Sequence, residues 1–187
     1  MPQTQFNLLF GSRQPARDSQ RSKVYSAEAS FLYRSTLVGV VNKRFKGIGE
    51  IESYVWAILR RAYVKIVTIY SGQGRRVACC EFRLGEYRLK LPVWARTEAT
   101  ILHELAHALT DFKYGRNVAG HGWEFANTYL LLVRNVMGAE AHALLKAEYK
   151  AKKVRTKAKA TRPPMSDERK AALRAQLAVA RAAKVKS

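Results

Sequence analysis

The feature of this sequence that most constrains its fold is a pair of histidines four residues apart, His103 and His107, with Glu104 between them. Four residues are slightly more than one turn of an α-helix, so both imidazoles leave the same face. The flanking residues are apolar, as expected of a buried helix: Ile101, Leu102, Leu105, Ala108 and Leu109. The pattern therefore predicts a buried helix on which two imidazoles bind one Zn²⁺ ion.

Glu104 gives this helix a chemical role beyond metal binding. Its side chain projects from the adjacent side of the turn, where it can reach a metal-bound water without being a ligand. Zinc lowers the pKa of such a water to about 7, and a nearby carboxylate can take its proton during attack on a carbonyl. An amphipathic helix with two partly buried histidines is the alternative, but it gives no structural reason for a buried acid.

A catalytic zinc ion needs a third protein ligand and one open position. His121 is the expected third ligand, because the Gly- and Asn-containing loop at 112–120 can turn the chain back towards the helix. Glu124 is the alternative ligand, and one of the two could bind zinc while the other orients it. The fourth histidine, His142, is expected to be a partly exposed helix residue.

Several neighbouring side chains are candidates for supporting roles. Asp111 follows His107 by four residues and could hydrogen-bond a zinc-binding imidazole, or it could be an ordinary acid at a helix end. The oxyanion formed during peptide hydrolysis needs a hydrogen-bond donor. Tyr114, Arg116 and Tyr129 are candidates by their proximity in sequence, and nothing in the sequence chooses among them.

The segment from His103 to Ala108, followed after a short loop by His121-Gly122-Trp123-Glu124-Phe125, resembles the SprT-like metallopeptidases. That family includes the Spartan proteases, which act on DNA–protein crosslinks. The segments 76–84 and 87–91 also resemble the strands before its active-site helix, and the resemblance extends over roughly 25–135. It implies a small zincin-type domain that hydrolyses peptide bonds, with zinc on His103, His107 and His121 and with Glu104 as the general base.

Many members of that family carry a zinc ribbon or another nucleic-acid-binding module after the protease domain. This sequence has no Cys-x-x-Cys pair, so we expect that module to be absent or replaced. Its two cysteines, Cys79 and Cys80, are adjacent, which matches no disulfide framework and suits packing residues in a reducing compartment.

Charge indicates what could replace that module. The chain has 34 Lys and Arg against 14 Asp and Glu, a net charge of +20. Residues 146–187 alone hold 14 basic and 3 acidic residues. Such a segment attracts polyanions through counterion release, and we expect DNA to be the partner. RNA, anionic lipid and a merely solubilising tail are alternatives that charge does not separate.

The expected organisation is a flexible leader at 1–24, a metalloprotease domain at 25–150 and a basic tail at 151–187. The expected fold is α+β, with N-terminal helices, a short antiparallel β-sheet, the motif helix, further helices and a basic C-terminal helical arm. Hydrophobic periodicity and turn residues predict helices at 27–45, 50–62, 96–112, 123–137, 139–150 and 167–184, and strands at 64–70, 76–84 and 87–91.

These expectations combine into one hypothesis about function. The chain is predicted to be a zinc-dependent endopeptidase that acts on DNA-associated or DNA-crosslinked proteins. The alternatives are a nucleic-acid-binding protein with a mainly structural zinc site, and a regulatory protease that cleaves a specific protein without DNA. No apolar run of about 20 residues and no signal-peptide pattern occur, so a cytoplasmic or nucleoid-associated location is expected. The small size and the lack of accessory domains suit a bacterial or bacteriophage protein.

Overall fold

The computed structural model describes residues 16–60, 67–72, 74, 76–159 and 166–185. Within these residues, six α-helices and a three-stranded sheet confirm the predicted α+β class. The elements are α1 (Arg21–Leu37), α2 (Ile48–Leu59), β1 (Val67–Ser71), β2 (Cys79–Arg83), β3 (Glu86–Leu91), a 3-10 turn (Val93–Ala95), α3 (Glu98–Tyr114), α4 (Trp123–Val136), α5 (Ala139–Ala151) and α6 (Asp167–Val185).

The sheet is mixed, so the prediction of an antiparallel sheet is wrong for one of its two strand pairs. β2 and β3 pair antiparallel through a two-residue turn at Leu84 and Gly85, both with positive φ. β1 pairs with the other side of β3 and runs parallel to it, which places β3 at the centre. Consecutive strands separated by turn residues favour an antiparallel arrangement locally, but their pattern does not reveal which edge of β3 each strand joins.

Helix α1 begins at Arg21 and ends at Leu37, so the helix predicted at 27–45 is wrong at both ends. Its buried side chains recur at helical spacing, at Val24, Ala27, Phe31 and Ser35, and they pack against α5. Part of the segment predicted to be a loose leader therefore lies in a packed helix. Residues 1–15 of that leader, and residues 61–66 of the predicted second helix and first strand, lie outside the described residues.

The folded body also extends past the predicted domain boundary at 150. Val154 is buried, and the side chain of Gln20 holds the backbone of Arg155 in two ways. The Gln20 amide donates to the Arg155 carbonyl at 3.2 Å and accepts from its N–H at 3.0 Å. The start of the basic segment is thereby attached to the residues just before α1.

Helix α3 lies in the core and carries the two motif histidines. It packs against α4 on one side and against β2 and β3 on another. The Thr97 side chain accepts a hydrogen bond from the backbone of Thr100 at its start, and Gly115 with φ 81° follows its end. The Tyr129 hydroxyl of α4 donates to the Ala99 carbonyl at 3.2 Å, which fixes the two helices against each other.

No helix among the described residues is both long and apolar enough to cross a membrane.

Candidate metal centre

Three histidines meet at one buried point of the structure. His103 and His107 lie one turn apart on α3, and His121 lies in the loop immediately before α4. Their potential ligand atoms all lie within 4.8 Å of one another, and the group contains His121 rather than Glu124. His103 and His121 are each only 5% exposed. This arrangement could hold a metal ion, as the spacing of the two motif histidines predicts.

Two carboxylates orient these imidazoles from the side away from their shared point. His103 Nδ1 lies 3.0 Å from both carboxylate oxygens of Glu28, and His121 Nδ1 lies 2.7 Å from Asp18 Oδ2. An imidazole that donates from Nδ1 to a carboxylate keeps Nε2 as a more basic metal ligand. His121 Nε2 is buried without a hydrogen-bond partner among the described residues, and a metal ion would satisfy it.

The electrostatics of the imidazoles differ. Burial lowers the pKa of His107 well below its usual range, and the neighbouring His103 and His121 lower it further. Burial also lowers the pKa of His121, although its hydrogen bond to Asp18 opposes this. For His103, burial lowers the pKa but the charge and hydrogen bond of Glu28 raise it, with a net increase. His107 is therefore neutral at pH 7, the state in which imidazole binds a metal.

Glu104 lies beside this cluster with only 6% of its surface exposed. Burial raises the pKa of its carboxyl group, while the charge of His103 and a hydrogen bond from the Cys80 backbone lower it in part. The Cys80 contact ties Glu104 to strand β2, which packs against α3. A carboxylate with a raised pKa at such a place is suited to accept a proton near neutral pH.

His103, alone of the three histidines, lines a cleft of about 350 Å³ together with Glu104. Helix α1 contributes one wall through Arg21 and Tyr25, and the 3-10 turn before α3 contributes the exposed Trp94. A larger cavity of about 870 Å³ lies between α2, α3 and α4, but none of the three histidines lines it. We therefore regard the smaller cleft as the place where chemistry at the histidine cluster could occur.

The supporting carboxylates are not the ones that sequence analysis suggested. Glu28 and Asp18 contact the imidazoles, whereas Asp111 does not. Burial raises the pKa of Asp111, and the nearby charge of Arg116 partly opposes that change. Glu124 lines a separate pocket together with Gln20 and Arg155, among others, rather than the cleft.

Of the three suggested oxyanion donors, the structure places only Tyr129 in the cleft. Its ring centroid lies 5.8 Å from that of His103, but its hydroxyl donates to the Ala99 carbonyl. Tyr114 packs against Trp123, and the Arg116 guanidinium lies 4.3 Å from the centre of the Phe82 ring.

Sequence analysis missed Asp18 and Tyr25 because they precede residue 27, where it began the first helix, and it missed Glu28 because the predicted helix gave no sign of a contact with His103. For Tyr25 and Glu28, residue spacing is the signal that could have indicated their place in the site. Residues 21, 25, 28 and 32 recur at intervals of three and four, which defines a helix face distinct from the buried one. That face carries Arg21, Tyr25 and Glu28 towards the histidines.

The fold and site together define an α+β protein with a buried three-histidine cluster suited to hold a metal ion. The SprT-like family model matches residues 43–144, which is more than half of the chain. The chain belongs to the SprT-like family, and this membership indicates a metallopeptidase-like domain. Comparisons with curated proteins and with solved structures find no match.

Proposed function

We propose that this protein is a zinc-dependent endopeptidase in which His103, His107 and His121 hold the metal and Glu104 is the general base. The observation that carries the proposal is the convergence of three imidazoles beside a buried glutamate that lines an accessible cleft. A metal site with only a structural role would need no such carboxylate. Membership of the SprT-like family supports the same function.

Zinc is the metal that this ligand set favours. Three imidazole nitrogens with room for one more ligand are typical of catalytic zinc sites, in which the ion acidifies a water molecule and polarises the substrate carbonyl. Glu28 and Asp18 hold two of the imidazoles by their Nδ1 atoms, so both present Nε2 to one point.

Glu104 performs the proton transfers of the proposed reaction. It accepts a proton from the attacking water as the water oxygen bonds to the scissile carbonyl carbon. When the bond between that carbon and the amide nitrogen breaks, the same carboxyl group donates the proton to the leaving amine. Glu104 thus returns to its starting state after each cycle.

Proteins bound or crosslinked to DNA are the proposed substrates, with the basic C-terminal segment as a tether. All of residues 166–177, the beginning of α6 included, are exposed, and Arg169, Lys170 and Arg174 are among them. A tether that binds DNA would raise the effective concentration of DNA-associated proteins near the cleft.

The test compares the zinc-loaded wild type with Glu104→Gln and with Glu140→Gln, a matched control at an exposed position on α5. Cleavage of casein and histone is followed with and without single-stranded DNA, and zinc content is measured in every sample. We expect Glu104→Gln to bind zinc but to lose at least about 1,000-fold in kcat. Glu140→Gln should cleave like the wild type.

Different outcomes separate the competing functions. Normal cleavage by Glu104→Gln would refute the assigned mechanism. Cleavage that is independent of DNA would keep the peptidase and reject the tether, which is the expectation for a regulatory protease. A protein that unfolds without zinc, binds nucleic acid and cleaves nothing would indicate a structural zinc site.

A further inference from the structure

One face of helix α1 is directed at the proposed catalytic centre. Arg21, Tyr25 and Glu28 follow one another at intervals of four and three residues, so they share that face. Glu28 holds His103, while Arg21 and Tyr25 line the cleft next to it. Helix α1 precedes residues 43–144, so the family match does not account for these contacts.

Tyr25 lies against two of the three histidines. Its ring is stacked on that of His103 with a centroid distance of 5.6 Å and an interplanar angle of 16°. Its centroid lies 5.0 Å from that of His121, with the rings tilted by 56°. The residue is nevertheless 44% exposed, and it borders the same cleft as Glu104. Tyr25 therefore lies within the cleft in which a substrate would meet His103 and Glu104.

Arg21 places a positive charge beside Tyr25. Its guanidinium carbon lies 5.5 Å from the centre of the Tyr25 ring, and its side chain also lines the cleft. An exposed arginine at such a position favours negative charge that develops in the cleft. Its planar guanidinium also limits the orientations that the neighbouring phenol can adopt.

Other hydrogen-bond donors that line the cleft are less suited than Tyr25 to stabilise negative charge that develops there. The Tyr129 hydroxyl donates to the Ala99 carbonyl, and the Thr100 hydroxyl is hydrogen-bonded to that of Thr97. The Trp94 side chain lines the cleft but makes no ring contact with the three histidines. Tyr25 and Tyr129 both contact the cluster and border the cleft, but the Tyr129 hydroxyl already donates within the protein, which favours Tyr25 as the donor to a substrate.

We propose that Tyr25 is a catalytic residue that donates a hydrogen bond to the oxyanion of the tetrahedral intermediate, with Arg21 as its positioning residue. This role rests on the proposed peptidase function. As the water oxygen bonds to the carbonyl carbon, the π electron pair moves onto the carbonyl oxygen, which then accepts a hydrogen bond from the phenol. Tyr25 keeps its proton throughout. When the carbon–nitrogen bond breaks, the C=O double bond re-forms and Glu104 delivers the proton to the amine.

The test is Tyr25→Phe, which keeps the stacked ring and removes only the hydroxyl. Tyr33→Phe is the matched control, because Tyr33 lies on the same helix, is 69% exposed and does not line the cleft. Each zinc-loaded protein is assayed for kcat and KM on a casein-derived peptide. Calorimetry then measures its affinity for a phosphinic analogue of that peptide, and chelator competition measures its affinity for zinc.

We expect Tyr25→Phe to lower kcat about 100-fold, with little change in KM, because the hydrogen bond forms only after the oxyanion develops. Binding of the phosphinic analogue should weaken strongly, whereas zinc affinity should stay at the wild-type value. Arg21→Gln should lower kcat by a smaller factor, and Tyr33→Phe should match the wild type in every measurement.

Three results would overturn the role of Tyr25. The first is an unchanged kcat and analogue affinity in Tyr25→Phe. The second is a loss of zinc affinity that accounts for the whole loss of activity, which would indicate a packing role. The third is a loss in Trp94→Phe that Tyr25→Phe does not show. By contrast, a zinc-loaded wild type that neither cleaves any protein nor binds the analogue would overturn the peptidase function itself.

Discussion

Glu104 is both ionisable and buried, and burial disfavours the charged form of its carboxyl group. Its carboxyl group is almost completely buried, and burial raises its pKa above the ordinary value of 4.5. A buried charge destabilises the folded state unless partners compensate for the missing hydration, and only part of that compensation is present. The residue that the proposed mechanism needs most is therefore one that the metal-free fold would be more stable without.

We predict that Glu104→Gln stabilises the metal-free protein at pH 7 by about 1 kcal/mol, a rise of about 2–4 °C in Tm. Because the folded-state pKa of Glu104 is raised, the penalty is absent below pH 4.5 and grows as the pH rises through the folded-state pKa. Thermal melts at pH 4 and pH 7 would measure this difference. Glu140→Gln should show no gain, and a Glu104→Gln variant that melts lower at pH 7 would refute the prediction.

Helix α1 lies before the residues that match the family model, yet it contacts the histidine cluster. One of its faces packs into the core, whereas Glu28 on another face holds His103. Asp18 lies three residues before the start of α1 and holds His121 in the same way. The helix is thus both a structural element and the support that orients two proposed zinc ligands.

We predict that Asp18→Ala and Glu28→Ala each weaken zinc binding by about 10- to 100-fold, because each leaves an imidazole without the acceptor that orients it. Competition with a chromogenic chelator would measure the affinity. Glu140→Ala, which removes an exposed carboxylate far from α1 in sequence, should leave it unchanged. Wild-type affinity in both site variants would show that these carboxylates do not support metal binding.

Seven of the fourteen basic residues in 146–187 lie beyond residue 159. Helix α5 and the following residues to Arg155 belong to the folded body, whereas residues 166–177 are exposed throughout. Residues 160–187 carry seven basic and two acidic residues. A truncation that tests the proposed tether should therefore begin after residue 159 rather than at 146, since the earlier boundary would remove part of the core.

We predict that deleting residues 160–187 weakens binding to single-stranded DNA at least about tenfold at low salt. The slope of log affinity against log salt should fall by roughly 0.7 for each phosphate that the truncated chain no longer neutralises. Fluorescence anisotropy over a salt series would measure both quantities. Leu173→Ala with Leu177→Ala, which keeps every charge on α6, is the matched control and should retain binding. Equal DNA affinity in the truncated and full-length chains would reject this segment as the tether.

Local sequence pattern was sufficient to predict those elements that depend only on residues within one helical turn or one strand. The spacing of His103 and His107, with apolar neighbours, predicts the buried helix α3, and β-branched and alternating residues predict the sheet strands. The concentration of Lys and Arg near the C-terminus is likewise a property of the sequence alone. Each of these inferences depends on residues that are close together in the chain.

Only the tertiary structure shows which distant residues meet at the site. Glu28 and His103 are 75 positions apart, and Asp18 and His121 are 103 positions apart, so no local periodicity relates them. Local periodicity likewise does not predict the parallel pairing of β1 with β3 or the contact of Tyr25 with two histidines. Such contacts depend on how helices and strands pack, and packing is a collective result of burying many apolar side chains at once.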